Sequence, residues 1–413
     1  MAKRQLPHPP NLDQLKHRAK DLLRGVHRGE PESLAEFVEL HPRAVPPAEA
    51  KLSDAQLVIA RGYGVPSWPR LVLACRMIAA IHRDDPEAVR ELIREHPDLL
   101  HEQANGRPTS NWGPPMSYAA NLGRDRVIQM LADLGAEDVQ HAFVRACLQG
   151  RVETARWLLG RGAVLDRDIV VGSCETQNAD GLKMLLDLGA EISDAHGNRL
   201  LPVALLLETY CRNPDGKHRC LELMAEHGID LPDTPTMALH RGRIDLLEKH
   251  LAEDPGLLAR RFTHQELYPP ELACHEDESL ALHGSPLHNT TLLHMCVDFD
   301  EMEIAEWLLE RGAEVNAKAR VDAEGYGGHT ALFGCVVSQP YRVGRRKDDS
   351  FARLLLDHGA DTAVRATLPK RLRFVPDESL HIYRGVTALE FGEQFHNQDW
   401  VSPAVMGLLR QRV

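Results

Sequence analysis

The residues whose types can do chemistry crowd one stretch of the chain. His264, His275, Glu276, Asp277, His283, His288 and His294 lie within a segment rich in turn residues. Imidazole nitrogens and carboxylate oxygens ligate zinc or iron, and a loop can bring three of them together. In that arrangement His275, His283 and His288 are the candidate metal ligands. Glu276 is the candidate base for a bound water. The spacings match no ligand motif, since there is no H-E-x-x-H on a helix. None of the 8 cysteines is spaced C-x-x-C with another. A chain with 22 histidines also produces such crowding by composition alone. The competing reading is an ordered loop that covers the ends of its flanking elements.

Two other segments carry the chemistry of recognition. In SQPYRVGRRKDDS (338–350), Arg342, Arg345, Arg346 and Lys347 surround Tyr341. In ATLPKRLRFVPDESLHIYRGV (366–386), Lys370, Arg371, Arg373 and Arg384 are interleaved with Phe374 and Tyr383, and Trp400 follows. Guanidinium groups pair with carboxylate or phosphate, and arginine beside tyrosine and tryptophan is the composition of a protein-binding hot spot. The same aromatics can instead seal the end of a helical stack. Trp112 in Asn111-Trp112-Gly113-Pro114 and the group Glu324, Tyr326 and His329 sit in other loops. The candidate partner contacts are therefore Trp112, Tyr326, His329, Arg371, Arg373, Tyr383 and Trp400.

The elements that must position these residues are repeats. PPMSYAANLGRDRVIQMLADLGA (114–136), HAFVRACLQGRVETARWLLGRGA (141–163), DIVVGSCETQNADGLKMLLDLGA (168–190) and TLLHMCVDFDEMEIAEWLLERGA (291–313) align without gaps. A second variant closes on His-Pro or Asp-Pro, at 25–42, 80–97 and 238–255. Each unit predicts a short helix, a turn at Gly29, Gly123, Gly150 or Gly242, a second helix, and a glycine or proline stop. Asp84 and Asp300 take the turn position in two copies. Ala155-Leu158-Leu159, Leu182-Leu185-Leu186 and Ile304-Leu308-Leu309 form apolar stripes that only a neighbouring unit can cover.

The run Thr291-Leu292-Leu293-His294, followed by the Leu-Leu-x-x-Gly-Ala closure, resembles the ankyrin repeat. Thr330-Ala331-Leu332 with Leu354 to Asp361 resembles another copy. The resemblance implies an all-α solenoid of ankyrin-type helix-turn-helix repeats, in which the Thr and His side chains tie down the turn. About eleven helix pairs are expected, beginning near residues 12, 53, 75, 114, 141, 168, 200, 233, 291, 330 and 387. The segment before the repeats resembles the helical segment that precedes ankyrin repeats in many bacterial proteins. The expected organisation is a helical cap (1–77), divergent repeats (78–258), an inter-repeat insertion (259–290), and C-terminal repeats with insertions and a cap (291–413). By the resemblance, the insertions at 259–290 and 366–386 share one edge, and 338–350 emerges opposite. The segment around Asn213-Pro214-Asp215-Gly216 is expected to be a surface loop.

Composition limits the function further. The chain has 413 residues and a net charge of −12, which disfavours nucleic acid as a partner. No apolar run is long enough to span a bilayer, and Met1 to Pro10 has no apolar leader, so no membrane and a cytoplasmic location are expected. The sequence shows no glycine-rich dinucleotide fingerprint, phosphate-binding loop or G-x-S-x-G element. The leading reading is a scaffold that binds a protein through its concave face and inter-repeat loops, with no cofactor. The alternative is a metal-binding or catalytic protein using the loop 264–294.

Overall fold

The computed structural model describes residues 4, 6, 7 and 9–412. The expectation about residues 1–3, 5 and 8 of the N-terminal stretch lies outside them. The chain forms two compact units, one up to Leu165 and one from Asp166. No helix among the described residues is long and apolar enough to cross a membrane.

In the first unit, helix Leu12–Arg28 pairs with Pro31–Leu40, Trp68–His82 with Pro86–Glu95, Pro115–Leu122 with Asp125–Asp133, and Val139–Leu148 with Val152–Leu159. Helix Leu52–Gly62 stands between the first two pairs. The two pairs expected to begin near residues 53 and 75 are thus three helices. Trp68–His82 is continuous through residue 75 because Ser67 caps its start, accepting the Arg70 N–H at 3.3 Å, and Pro69 sits in its first turn.

In the second unit the pairs are Val170–Glu175 with Ala179–Asp187, Leu201–Glu208 with Pro214–Glu226, Pro235–His240 with Ile244–Glu253, Leu292–Phe299 with Met302–Glu310, Ala331–Val336 with Ser350–Asp357, and Ala388–Gln394 with Pro403–Arg410. The pairs joined by a short turn are built by the same local physics. At the turn between paired helices the backbone is left-handed, at Gly123 and Gly150 but also at Asp84, Gln177 and Asp300. The next residue then donates its N–H five residues back: Arg124 to Ala119 (3.0 Å), Asn178 to Ser173 (2.8 Å), Glu301 to Cys296 (2.8 Å). The Gly-Ala closures repeat the device, with Ala136, Ala163, Ala190, Ala313 and Ala360 donating to a leucine five residues back at 2.9–3.2 Å. These bonds satisfy carbonyls that every helix end leaves open.

The core follows the predicted stripes. Ala119, Ala120 and Ala146 on first helices are fully buried, as are Leu158, Leu182 and Leu185 on second helices. Alanine permits close approach of backbones, and each buried leucine contributes about 2 kcal/mol.

The segment 366–386 departs from the expected irregular insertion. Ala366–Lys370 and His381–Val386 form an antiparallel hairpin. Its register shifts between Ala366 and Leu368, and Pro369 lies within the first strand. A proline is tolerated on an edge strand, and together with the shift it blurs the two-residue alternation by which strands are read. Ala366, Leu368 and Lys370 face inward, and the residues between them are half-buried.

Candidate functional site

Three segments converge on one edge of the second unit. In the insertion 259–290, Asn289 donates its N–H to the Phe262 carbonyl at 2.8 Å, and Phe262 donates to Thr290 at 2.9 Å. The adjoining loop is tied to it by Arg320, whose N–H reaches the Asn289 carbonyl at 3.0 Å. The hairpin joins in turn, since Gly327 and Thr367 exchange N–H···O bonds of 2.8 and 3.1 Å. The insertion is not a detachable loop, because Phe262, Leu267, Tyr268, Leu272 and Leu287 are all buried.

The insertion is pinned from below by a buried charge cluster centred on Arg212. Its Nε donates to the Asp298 carbonyl (2.8 Å), and its Nη1 donates to the Thr209 and Cys211 carbonyls (2.7 and 2.9 Å). Its Nη2 donates to the Leu282 carbonyl (2.7 Å) and to Asp298 Oδ2 (2.8 Å). All five guanidinium donors are therefore used. Asp298 Oδ2 also takes His283 Nδ1–H at 2.8 Å, while Oδ1 takes the Gly284 N–H at 3.0 Å. An ionised carboxylate only accepts, so His283 carries its proton on Nδ1 and its Nε2 accepts from the Tyr268 hydroxyl at 3.1 Å. Burial pushes the Asp298 carboxyl up, but Arg212 and His283 outweigh it and hold it well below the usual range. Beside this cluster, Lys217 Nζ and His218 Nε2 meet Glu301 Oε1 at 2.8 and 3.0 Å. Both cations, Arg212 and Lys217, lie over the Phe299 ring.

A third buried set holds the loop edge to the helices. His294 Nε2 donates to the His329 carbonyl at 3.2 Å, leaving Nδ1 to accept from the Thr291 hydroxyl at 2.9 Å. His329 Nε2 donates to the Pro286 carbonyl at 2.8 Å. Burial lowers His294 to about 3 and His329 to about 4, so both are neutral at neutral pH.

Between the three segments lies a cavity of about 380 Å³. His283, Pro286 and His288 line it from the insertion, and Arg320, Asp322, Tyr326 and His329 from the adjoining loop. Leu368, Lys370, Arg371 and Leu380 line it from the hairpin. Six of the residues singled out from sequence therefore share one site: His283, His288, Tyr326, His329, Lys370 and Arg371. The segment 338–350 does not join them. Its Arg346 and Arg345 bind Asp300, at the turn between helices Leu292–Phe299 and Met302–Glu310.

The other expected contacts are placed elsewhere. His275 is exposed and pairs with Glu208 at 2.9 Å, outside the cavity, and Glu276 is exposed. The convergence of His275, Glu276, His283 and His288 on a metal is thus not what the structure forms. His283 is committed to Asp298, His275 to Glu208, and His288 lies 3.5 Å from Glu278. Among the described residues, no three His, Cys, Asp or Glu side chains are grouped to hold a metal. Trp112 packs on Tyr118 at 5.0 Å, under the Arg145 guanidinium at 5.4 Å, and so fastens its loop to the next helices. Tyr383, on the second hairpin strand, and Trp400, between the last two helices, are buried rather than offered to a partner. The Tyr383 hydroxyl meets His396 Nδ1 at 2.6 Å, and its ring packs on Phe391 and Phe395. Arg373 lies over the Phe374 ring at 4.8 Å.

Sequence reasoning missed Arg212, Lys217, Tyr268 and Asp298. The expected surface loop around Asn213-Pro214-Asp215-Gly216 is instead the start of helix Pro214–Glu226, and just before it lies Arg212, only 4% exposed. One signal was present: Asp298 interrupts the apolar run Leu292–Phe299, a position that would bury it.

These features define an all-α array of ankyrin-type helix pairs with a loop-edge cavity. The ankyrin repeat family matches residues 288–320, the stretch that holds Thr291, His294 and Asp298. Among solved structures, the chain is similar to the human ASB11 ankyrin repeat domain at 17% identity. That match covers 72% of this chain and 97% of the other, with a TM-score of 0.27. No curated protein matches the chain.

Proposed function

We propose that the chain is a scaffold that binds a protein on the loop edge of its second unit. The observation that carries this reading is the clustering of exposed apolar side chains there. Val321, Phe374, Leu380 and Ile382 are 56, 78, 53 and 39% exposed, and all four lie on the two loops joined at Gly327 and Thr367. Arg320, Arg371 and Arg384 are exposed on the same loops. An apolar centre ringed by arginine fits a partner with an apolar, acidic surface. The rigid mounting of these loops lowers the ordering cost of binding. A partner on the concave face belongs to the same reading, but no particular residue favours it.

The test is capture from a source lysate on immobilised protein, in parallel with Phe374→Ser/Ile382→Ser and with Arg371→Glu/Arg373→Glu. A protein retained by the unchanged chain and lost from both variants is the expected result. Identical retention by all three would place binding elsewhere.

A further inference from the structure

Lys370 is out of keeping with its surroundings. The alternation of the first hairpin strand turns it inward with Ala366 and Leu368, and it is only 8% exposed. It lines the cavity, through which that exposure remains. Among the described residues, no carboxylate lies within ion-pair distance of its ammonium and no acceptor is hydrogen-bonded to it. Asp298 and Glu278 act on it through space, and Arg212 opposes them. Asp298 is already engaged by Arg212, His283 and Gly284. Its stem is buried while its ammonium keeps access to the cavity, so the charge is left to solvent rather than to a protein partner.

The cavity around this ammonium has a consistent chemistry. Arg320 and Arg371 line it, and neither is in an ion pair among the described residues. Two carboxylates, Glu278 and Asp322, line it as well, so three cations face two anions and an excess of positive charge remains. Asp322 Oδ1 accepts the Tyr326 N–H at 2.8 Å, and Glu278 lies 3.5 Å from His288 Nδ1, which itself accepts the His264 N–H at 3.3 Å. Leu368 and Leu380 supply apolar wall. The volume falls within the range of about 300–1,000 Å³ typical of small-molecule sites.

We propose that this cavity binds a small organic anion, its carboxylate or phosphate held by Lys370 with Arg320 and Arg371, and its apolar body against Leu368 and Leu380. The anion supplies the charge that Lys370 lacks. Two sources share this chemistry: a free small molecule, or one anionic side chain of a protein docked on the same edge. Burial lowers the ammonium to about 8, so part of it is neutral and acylable near that pH, which provides a direct reporter.

The experiment uses the full chain. Phenyl phosphate, benzoate and benzylamine are titrated calorimetrically, as is a terminally blocked peptide with one phosphoserine. Acetylation of Lys370 at pH 8 is followed by mass spectrometry, with exposed Lys318 as reference. Binding of phenyl phosphate or benzoate but not benzylamine is expected, with Lys370 and not Lys318 protected. Lys370→Met should weaken binding by roughly 10- to 100-fold, the loss expected for a charged hydrogen bond. Its Tm should stay unchanged or rise, since the substitution breaks no ion pair among the described residues. If Lys370→Met does not fold, Arg320→Ala serves as the second variant and should also weaken binding. Binding of phenyl phosphate but not the peptide assigns a free small molecule. Binding of the peptide but not the free anions assigns a protein side chain. No binding of any anion, benzylamine binding equally well, or full affinity in Lys370→Met would overturn the proposal. A fall in the Tm of Lys370→Met would overturn it too, by showing that Lys370 holds the fold.

Discussion

At the scale of single residues, the second unit depends on charges placed where a leucine would be expected. Arg212 fixes the 209–213 loop, the insertion at Leu282 and helix Leu292–Phe299 through five bonds from one side chain. Removing either partner strands the other in the interior, so Asp298→Ala and Arg212→Met should each destabilise by about 3–5 kcal/mol. The double substitution Arg212→Met/Asp298→Leu should cost less than the sum of the singles, as read by urea denaturation, although the Thr209, Cys211 and Leu282 carbonyls still lose their donor. If the double variant is as unstable as the sum of the singles, the pair is not acting as a unit. The buried histidines set a pH dependence of defined sign. His294 and His329 are lowered to about 3 and 4 in the fold, while an unfolded histidine titrates near about 6.5. Between those values the unfolded chain binds more protons, so stability is full above pH ~6.5 and falls as the pH drops toward ~4. Each histidine contributes up to about 1.4 kcal/mol per pH unit in that window. Urea midpoints at pH 7, 6 and 5 should fall steadily, and the slope should be shallower in His329→Asn.

At the scale of elements, the helix pair is closed by left-handed backbone at fixed positions. Gly312 has φ +91° with open space where a Cβ would go, so Gly312→Ala meets no steric clash but is strained by its backbone alone. That substitution should destabilise by about 1–2 kcal/mol. Gly407 lies in helix Pro403–Arg410, also with open space around it, and Gly407→Ala should stabilise by about 0.5–1 kcal/mol. Equal effects from the two would mean that local backbone preference does not govern the closures. The turn position does not require glycine. Gln177 and Asp300 adopt the left-handed conformation without glycine because their side chains are held elsewhere. Gln177 Oε1 accepts the Asn213 N–H at 2.7 Å, and Asp300 binds Arg346. The glycine that marks the turn in sequence is then absent, although the turn itself is unchanged. The hairpin 366–386 was illegible for another reason, since the register shift between Ala366 and Leu368 and Pro369 within the first strand blur its alternation.

At the scale of the whole molecule, the two units differ in what they carry. The first is a plain stack of helix pairs, while in the second an insertion, a loop and a hairpin are bonded into one edge. Exposed apolar residues there add nothing to the core. Phe374→Ser and Ile382→Ser should therefore shift stability by no more than about 0.5 kcal/mol, as is usual for exposed positions. Loss of a captured partner with an unchanged urea midpoint would separate binding from folding. A large drop in the midpoint would mean that these side chains pack rather than recognise.

The sequence by itself determined the helix pairs, their turns, the Gly-Ala closures and the leucine stripes. Each is a matter of backbone preference and spacing within some twenty residues. It also indicated the segments that depart from the repeat, because an insertion breaks a period. Only the tertiary structure decided what those segments do. His283 sits beside Asp298, Lys370 faces the cavity shared with His283 and Arg320, and His275 is turned away to Glu208. These placements depend on contacts between residues 15 to nearly 90 positions apart, as with Arg212 and Asp298. Pairing of that kind follows from how layers stack, and no local pattern encodes it.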